Sequence, residues 1–172
     1  MKSTLEDLKR RRSCRAFRPE QIPDALLQAV LEAGTYAPTG RDHQSPLLVA
    51  VQDRAVRDQL SRMNAAIMGS EDDPFYGAPT IIVVLAERSW PTAVYDGSCV
   101  MCNLLNAAAA LDLGSCWIHR AREEFDSPEG KALLHSWGVE GDYVGVGHCA
   151  LGYPAQAPAA PAPRKAGYIV RI

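Results

Sequence analysis

Residues 93–113, AVYDGSCVMCNLLNAAAALDL, consist almost wholly of small and apolar side chains and include four consecutive alanines at 107–110. The run reads as one long helix. A helix on the surface of a globular protein keeps a polar face toward water. This one has so little polarity on any face that it needs cover on most sides, and a subunit interface is one way to supply it. Whatever else the chain folds into must wrap that helix.

The surrounding sequence offers the wrapping. Residues 80–85, TIIVVL, are rich in β-branched side chains and make the strongest strand in the chain. Residues 47–51 (LLVAV), 115–118 (SCWI, after Gly114) and 144–151 read as further strands. Between them lie helical spacings. Ser3 and Glu6 form a capping box ahead of Leu5 and Leu8, in a short helix that should end near residue 10. A second helix starts at Pro23 and carries Leu26, Leu27, Val30 and Leu31 to Gly34. Val56, Leu60, Met63 and Ile67 space a third, and Ser127-Pro128-Glu129 opens another with proline in its first turn. PTGRDH at 38–43 is a turn, and PFYG at 74–77 is a loop. No internal repeats occur, and the whole chain, 1–172, reads as one domain. Residues 153–167 are rich in Pro and Ala, but they end in the strand-like YIVRI of 168–172. A tail that crosses a surface and docks on a sheet, a partner's included, fits this pattern better than a flexible linker.

Charge and cysteine usage exclude several classes. With a formal net charge of −2, the chain has no general basic field, which argues against an extended nucleic-acid footprint. No segment approaches the roughly 18 apolar residues of a membrane span, and the N-terminus lacks a signal-peptide apolar core. A cytoplasmic location is expected. Cysteines at 14, 99, 102, 116 and 149 are odd in number and too scattered for a disulfide framework.

Two motifs are decoys. GVGHCA at 145–150 matches a dinucleotide fingerprint, but LGYPAQAP follows and cannot open the helix that fingerprint requires. The glycines belong in a closely packed strand. Cys99 and Cys102 form a CxxC in mid-helix, without the helix N-terminus that activates redox thiols and without partner ligands for zinc. They read as buried structural cysteines. The four histidines, 43, 119, 135 and 148, show no metal spacing.

The remaining feature is RRRSCRAFR at 10–18, five arginines in nine residues, echoed by Arg164 and Lys165. A phosphate monoester carries nearly two charges and is held well by several Arg and Lys groups. If the cluster ends the first helix, the helix dipole there opposes an anion, so side-chain cations must do the binding. The alternative is a solvated basic turn that compensates the dipole.

RRSCRAF at 11–17 followed by PEQIPDALLQAVLEAGTYAPTG at 19–40 resembles the opening of the FMN-dependent nitroreductase family, whose members read RRSxRxF and later APSGxNxQPW. The resemblance continues through GAP at 77–79, LGSCWI at 113–118, ALGYP at 150–154 and the basic pair Arg164 and Lys165. Five motifs in order span nearly the whole chain. The resemblance implies an α+β fold, a central mixed sheet flanked by helices, assembled as an intertwined homodimer with the C-terminal tail exchanged between subunits. It implies FMN at the dimer interface, NAD(P)H as reductant and a small electron-poor acceptor such as a nitroaromatic or quinone. Dehalogenation, flavin fragmentation, enone reduction, or non-catalytic FMN storage or sensing are alternatives on the same scaffold. By motif, Arg11, Arg12 and Ser13 become phosphate and ribityl ligands, and Arg15 faces the pyrimidine edge of the flavin. Pro38, Thr39 and Gly40 come from the other subunit, and Gln44 is a further cofactor-binding residue. Ile118 and His119 lie along the isoalloxazine, and Arg164 and Lys165 return to the phosphate. Where the family has Asn-x-Gln-Pro-Trp, this chain has Asp42, His43, Gln44, Ser45 and Pro46, and an ionised Asp cannot donate a hydrogen bond.

Overall fold

The computed structural model describes residues 4–172, so Ser3 of the expected capping box lies outside the described residues. Helix α1 spans Thr4–Arg10 and α2 spans Asp24–Thr35. A 3-10 turn at Gly40–Asp42 leads into β1, Pro46–Val51. Helix α3, Arg54–Met68, starts where Asp53 caps it by accepting from Val56 N at 3.0 Å, and stops at Gly69 in the left-handed region. Strand β2 (Thr80–Glu87), helix α4 (Ala93–Ala110) and strand β3 (Gly114–Ile118) follow. Two helices then stack, α5 (Ala121–Asp126) and α6 (Pro128–Ser136), the second capped by Ser127 accepting from Gly130 N. Strand β4, Tyr143–Gly152, closes the sheet.

The sheet runs β1-β2-β4-β3, with all its ladders antiparallel. The expected mixed sheet is therefore corrected. Strands buried on both faces are apolar throughout whichever way they pair, so the apolar runs did not reveal direction. The one parallel pairing among the described residues is a bridge from Ser13 to Ser115. β2 shows why the sheet is a middle layer. Ile82, Val84 and Ala86 face Leu27 and Val30 of α2 and Val100, Met101 and Leu104 of α4. Ile81, Val83 and Leu85 face Leu60 of α3, Phe125 of α5 and Leu133 of α6. All six are fully buried, and each large one stabilises the fold by about 2 kcal/mol.

The glycines of the decoy motif sit inside β4. A Cβ on Gly145 would come within 2.1 Å of the Ala121 carbonyl oxygen, and one on Gly147 within 2.2 Å of the Trp117 indole nitrogen. They let α5 and Trp117 close onto the strand, as a closely packed strand requires.

One expectation changes, and two concern faces that a partner would cover. Helix α4 leaves Val94, Tyr95 and Cys102 exposed within one chain. Cys99 is half-buried and Cys102 exposed, so the pair is not buried; both thiols are free. The tail forms no strand within the chain, and Tyr168, Ile169 and Val170 are more than two-thirds exposed. The tail pairs with no strand of its own chain, although the outer edge of β1 is unpaired among the described residues. No helix among the described residues is long and apolar enough to cross a membrane.

Candidate functional site

After α1 the chain runs extended and is stitched down by backbone bonds. Cys14 N donates to Ser115 O, Arg18 N to Tyr153 O and Ala155 N to Ala16 O, each at 2.9 Å. The segment is thus laid between the start of β3 and the end of β4. Its arginines ring a cavity of about 320 Å³ lined by Arg10, Arg11, Arg12, Ser13, Cys14 and Arg15, with Leu113, Gly114 and Ser115 behind them and Gln156, Ala157, Pro158 and Ala159 along one wall.

The four cations are not equivalent. Arg10 is neutralised inside the chain: its guanidinium bonds Asp112 at 2.7 Å, Asp7 at 3.2 Å and the Ala109 carbonyl at the end of α4. It is the dipole-compensating basic residue, acting on α4 as well as on its own helix. Arg11, Arg12 and Arg15 make no ion pair with any carboxylate among the described residues. Arg12 bonds the Arg11 carbonyl through Nη1, while its Nε is buried without a partner. Positive charge also reaches the neighbouring thiol. Burial pushes Cys116 up, while Arg15, Ser13 and Arg11 act in the opposite direction.

The other expected site residues lie apart. Thr39 and Gln44 line a second cavity of about 300 Å³ with Gly34, Ala37, Pro46 and Leu48, on the α2 and β1 side. The loop there is strained, with Arg41, Asp42 and Gln44 all at φ near 55°, each costing on the order of 1–2 kcal/mol. Asp42 accepts from Gln44 Nε2 at 3.4 Å, and His43 stacks on Trp90 at 3.8 Å while its Nε2 meets Glu87 at 2.9 Å. Gly40 is pressed against Thr92, with no room for a Cβ. Pro38 is exposed. Ile118 is buried at the end of β3, and His119 beyond it is exposed. Arg164 bonds the Ala162 carbonyl in its own tail, and Lys165 lies 5.4 Å from the Tyr168 ring centroid; neither lines the arginine cavity. One chain therefore brings together Arg11, Arg12, Ser13 and Arg15, and leaves the loop and tail residues elsewhere.

Two polar groups escaped the sequence reading. Asp96, 4% exposed, accepts from Gly40 N at 3.0 Å, Ser45 Oγ at 3.1 Å and Thr92 Oγ1 at 3.0 Å, and so ties the strained loop to α4. Its only signal was one acid in a helix of small residues. The second is a fully buried cluster of Asn64, Glu124 and His148. Asn64 Nδ2 donates to the His119 carbonyl at 2.9 Å and to Glu124 Oε2 at 2.7 Å, while Arg120 Nε donates to Asn64 Oδ1 at 2.9 Å. His148 Nε2 lies 3.2 Å from Glu124 Oε2 without meeting hydrogen-bond geometry, and Glu124 Oε1 and His148 Nδ1 have no partner. Burial pushes the Glu124 carboxyl up to about 8 against the pull of Asn64 and Arg120. Burial, helped by the Arg120 charge, brings His148 down to about 3. Near neutral pH the contact is an acid beside a neutral ring, not an ion pair.

A four-stranded antiparallel sheet between two helical layers, with an arginine-lined cavity at the start of one edge strand, defines an α+β protein with a strongly cationic pocket. The chain matches the nitroreductase family over residues 8–74 and 63–153, and it belongs to that family. A nitroreductase from Bacteroides fragilis, solved with bound FMN, is 34% identical, superposes with a TM-score of 0.90 and is covered completely, as is this chain. A protein of Archaeoglobus fulgidus, named as a candidate NADH dehydrogenase/NAD(P)H nitroreductase, is 29% identical over 158 residues, 90% of this chain and 87% of its own. An iodotyrosine deiodinase solved with FMN and 3-iodo-L-tyrosine is 21% identical with a TM-score of 0.77 and covers 98% of both chains. At that identity the likeness shows the fold alone.

Proposed function

We propose that this protein is an FMN-dependent oxidoreductase that takes hydride from NAD(P)H and passes electrons to an electron-poor acceptor such as a nitroaromatic or quinone, working as a homodimer. The observation that carries the reading is the set of three guanidinium-bearing residues, Arg11, Arg12 and Arg15, that line one cavity and have no carboxylate partner among the described residues. A phosphate monoester fits that donor set in charge and in number of acceptor oxygens. The B. fragilis relative, solved with FMN, supports the choice of phosphate ester.

FMN, when bound, supplies hydride acceptance at N5 and release of those electrons to the second substrate. The chain binds, orients and tunes. Arg11, Arg12 and Ser13 hold the phosphate end. Arg15 is assigned to the pyrimidine edge, where a fixed cation favours the negative charge that reduction places there. Ile118 and His119 line the ring. Pro38, Thr39, Gly40 and Gln44 stand apart from the arginine cavity in their own chain, so they serve the site of a second copy. The tail already borders the cavity with residues 156–159, and Arg164 and Lys165 beyond it reach a phosphate once the tail settles on a partner. A cytoplasmic location, where NAD(P)H is supplied, goes with this reading.

Chromatography of the chromophore released on denaturation is the first test. FMN is expected; FAD, or no flavin even after reconstitution, overturns the proposal. Anaerobic stopped-flow with NADH and NADPH, followed by a panel of nitroaromatic, quinone, enone and halogenated acceptors, then fixes the substrate class. Uniformly slow turnover with all of them points instead to FMN storage or sensing.

A further inference from the structure

Residues 118–120, at the end of β3 and just beyond it, are gripped by groups from three elements behind them. Asn64 of α3 takes the His119 carbonyl and receives the Arg120 guanidinium. Glu124 of α5 accepts from Asn64, and His148 of β4 stands 3.2 Å from the same carboxyl oxygen. The Ile118 backbone faces the His148 ring and acts on it in the direction opposite to burial. Arg120 sits at φ 76°, a conformation that an L side chain adopts only when its surroundings hold it there. All three gripping side chains are fully buried, and Glu124 Oε1 and His148 Nδ1 have no partner.

We propose that Asn64, Glu124 and His148 are positioning residues for the flavin: a buried clamp that fixes residues 118–120 and transmits its own state of protonation to the flavin's affinity and potential. The inference rests on the reading that Ile118 and His119 lie along the ring. It goes beyond that reading because none of the three reaches the arginine cavity or needs to touch the cofactor.

The chemistry follows from burial. While the pair of Glu124 and His148 shares one proton, Asn64 can divide its amide between the carboxyl and the His119 carbonyl. Once that proton is lost, a charged carboxylate sits in an apolar core and draws the Asn64 amide and the Arg120 guanidinium toward itself. Both are the groups that hold the 119–120 peptide. The charged and titratable groups facing Glu124 are Arg120, Glu123 and His148. Only Arg120 opposes the new charge, and it is itself part of the clamp. Phe75 and Phe125 flank His148 at 5.3 and 6.0 Å and offer the charge no compensation.

The test uses the full chain loaded with FMN, with wild type, Glu124→Gln and Asn64→Ala compared from about pH 6 to about pH 9.5. FMN affinity is read by fluorescence quenching and midpoint potential by spectroelectrochemistry, with free FMN as baseline. In wild type the dissociation constant is expected to rise several-fold, and the potential to change slope, as pH passes about 8. Glu124→Gln, neutral at every pH, is expected to show neither break. Asn64→Ala is expected to weaken FMN about tenfold across the range, the equivalent of one lost buried hydrogen bond; Asn64→Ser, a smaller cut, replaces it if the alanine variant does not fold. Superimposable profiles for wild type and Glu124→Gln overturn the inference alone. So does an Asn64 variant that loses stability but keeps wild-type affinity and potential. Failure of wild type to bind FMN at any pH overturns the functional reading, and the inference with it.

Discussion

The pair formed by Glu124 and His148 is expected to contribute a flat-topped pH dependence, with a flank on each side, to the stability of the fold. In the folded chain Glu124 keeps its proton up to about pH 8, against 4.5 for the free side chain. Between those values the folded state binds more protons than the unfolded one, so stability falls as pH rises. His148 does the reverse. Its folded value is about 3 against 6.5, so in that window the unfolded state binds more protons and stability rises with pH. Each slope is about 1.36 kcal/mol per unit, and from 4.5 to 6.5 they cancel. Beyond 6.5 only the Glu124 slope remains, costing about 2 kcal/mol by pH 8; below 4.5 only the His148 slope remains, costing about 2 kcal/mol by pH 3. Urea unfolding of the apo-protein across this range measures the profile. Glu124→Gln is expected to abolish the alkaline flank and extend the acid flank up to 6.5. An alkaline flank that survives in Glu124→Gln, or a wild type that stays flat from 6.5 to 8, refutes the reasoning. The profile counts protons shared by the pair and does not say which member holds them. The carboxyl stretch in the infrared, present in wild type at neutral pH and absent in Glu124→Gln, locates the proton on Glu124.

Three further outcomes are expected. Arg15→Met lowers the midpoint potential of bound FMN and slows its reduction by NAD(P)H, whereas Arg11→Met weakens FMN binding and leaves the potential of bound flavin nearly unchanged; spectroelectrochemistry on both separates ring tuning from phosphate holding, and an unshifted potential in Arg15→Met removes that role. FMN stabilises the dimer by mass action if the loop at 38–44 completes the partner's site, and sedimentation of apo and FMN-loaded protein at low concentration tests this, a tight-binding monomer being the contrary result. Asp96→Ala, which strands three donors at the strained loop, costs about 2–4 kcal/mol of unfolding free energy by denaturant titration; a loss under about 0.5 kcal/mol, typical of an unimportant surface change, counts against the latch.

The legible parts of this fold were those whose signal is local. Val56, Leu60, Met63 and Ile67 mark α3 by spacing alone, and the TIIVVL run marks β2. Strand direction was not legible, since residues buried on both faces carry no alternation to read. Helix α5 has six residues and no apolar period long enough to register. The tail at 168–172 looks like a strand because Tyr, Ile and Val favour one, but strand formation depends on a partner edge that composition does not encode. In the site, the arginine cluster announced itself by charge density. Its division into a structural Arg10 and three uncompensated neighbours did not, because the deciding partner, Asp112, is 102 residues away. Asn64, Glu124 and His148 were invisible for the same reason. Each is one polar residue in an ordinary context, and only the fold brings α3, α5 and β4 to one point.

The strand order has a consequence for how the chain is made. β4 lies between β2 and β3, yet it is the last strand to be synthesised. From Glu87 to Gly152 is a further 65 residues, about 3–13 s of translation at 5–20 residues per second. Through that interval β2 can pair on one side only, with β1, and half of its apolar ladder waits on the ribosome for a neighbour that does not yet exist. The nascent chain is at its stickiest just before β4 is made, and conditions that slow elongation between residues 87 and 152 should raise its demand for chaperones more than the same delay earlier in the message.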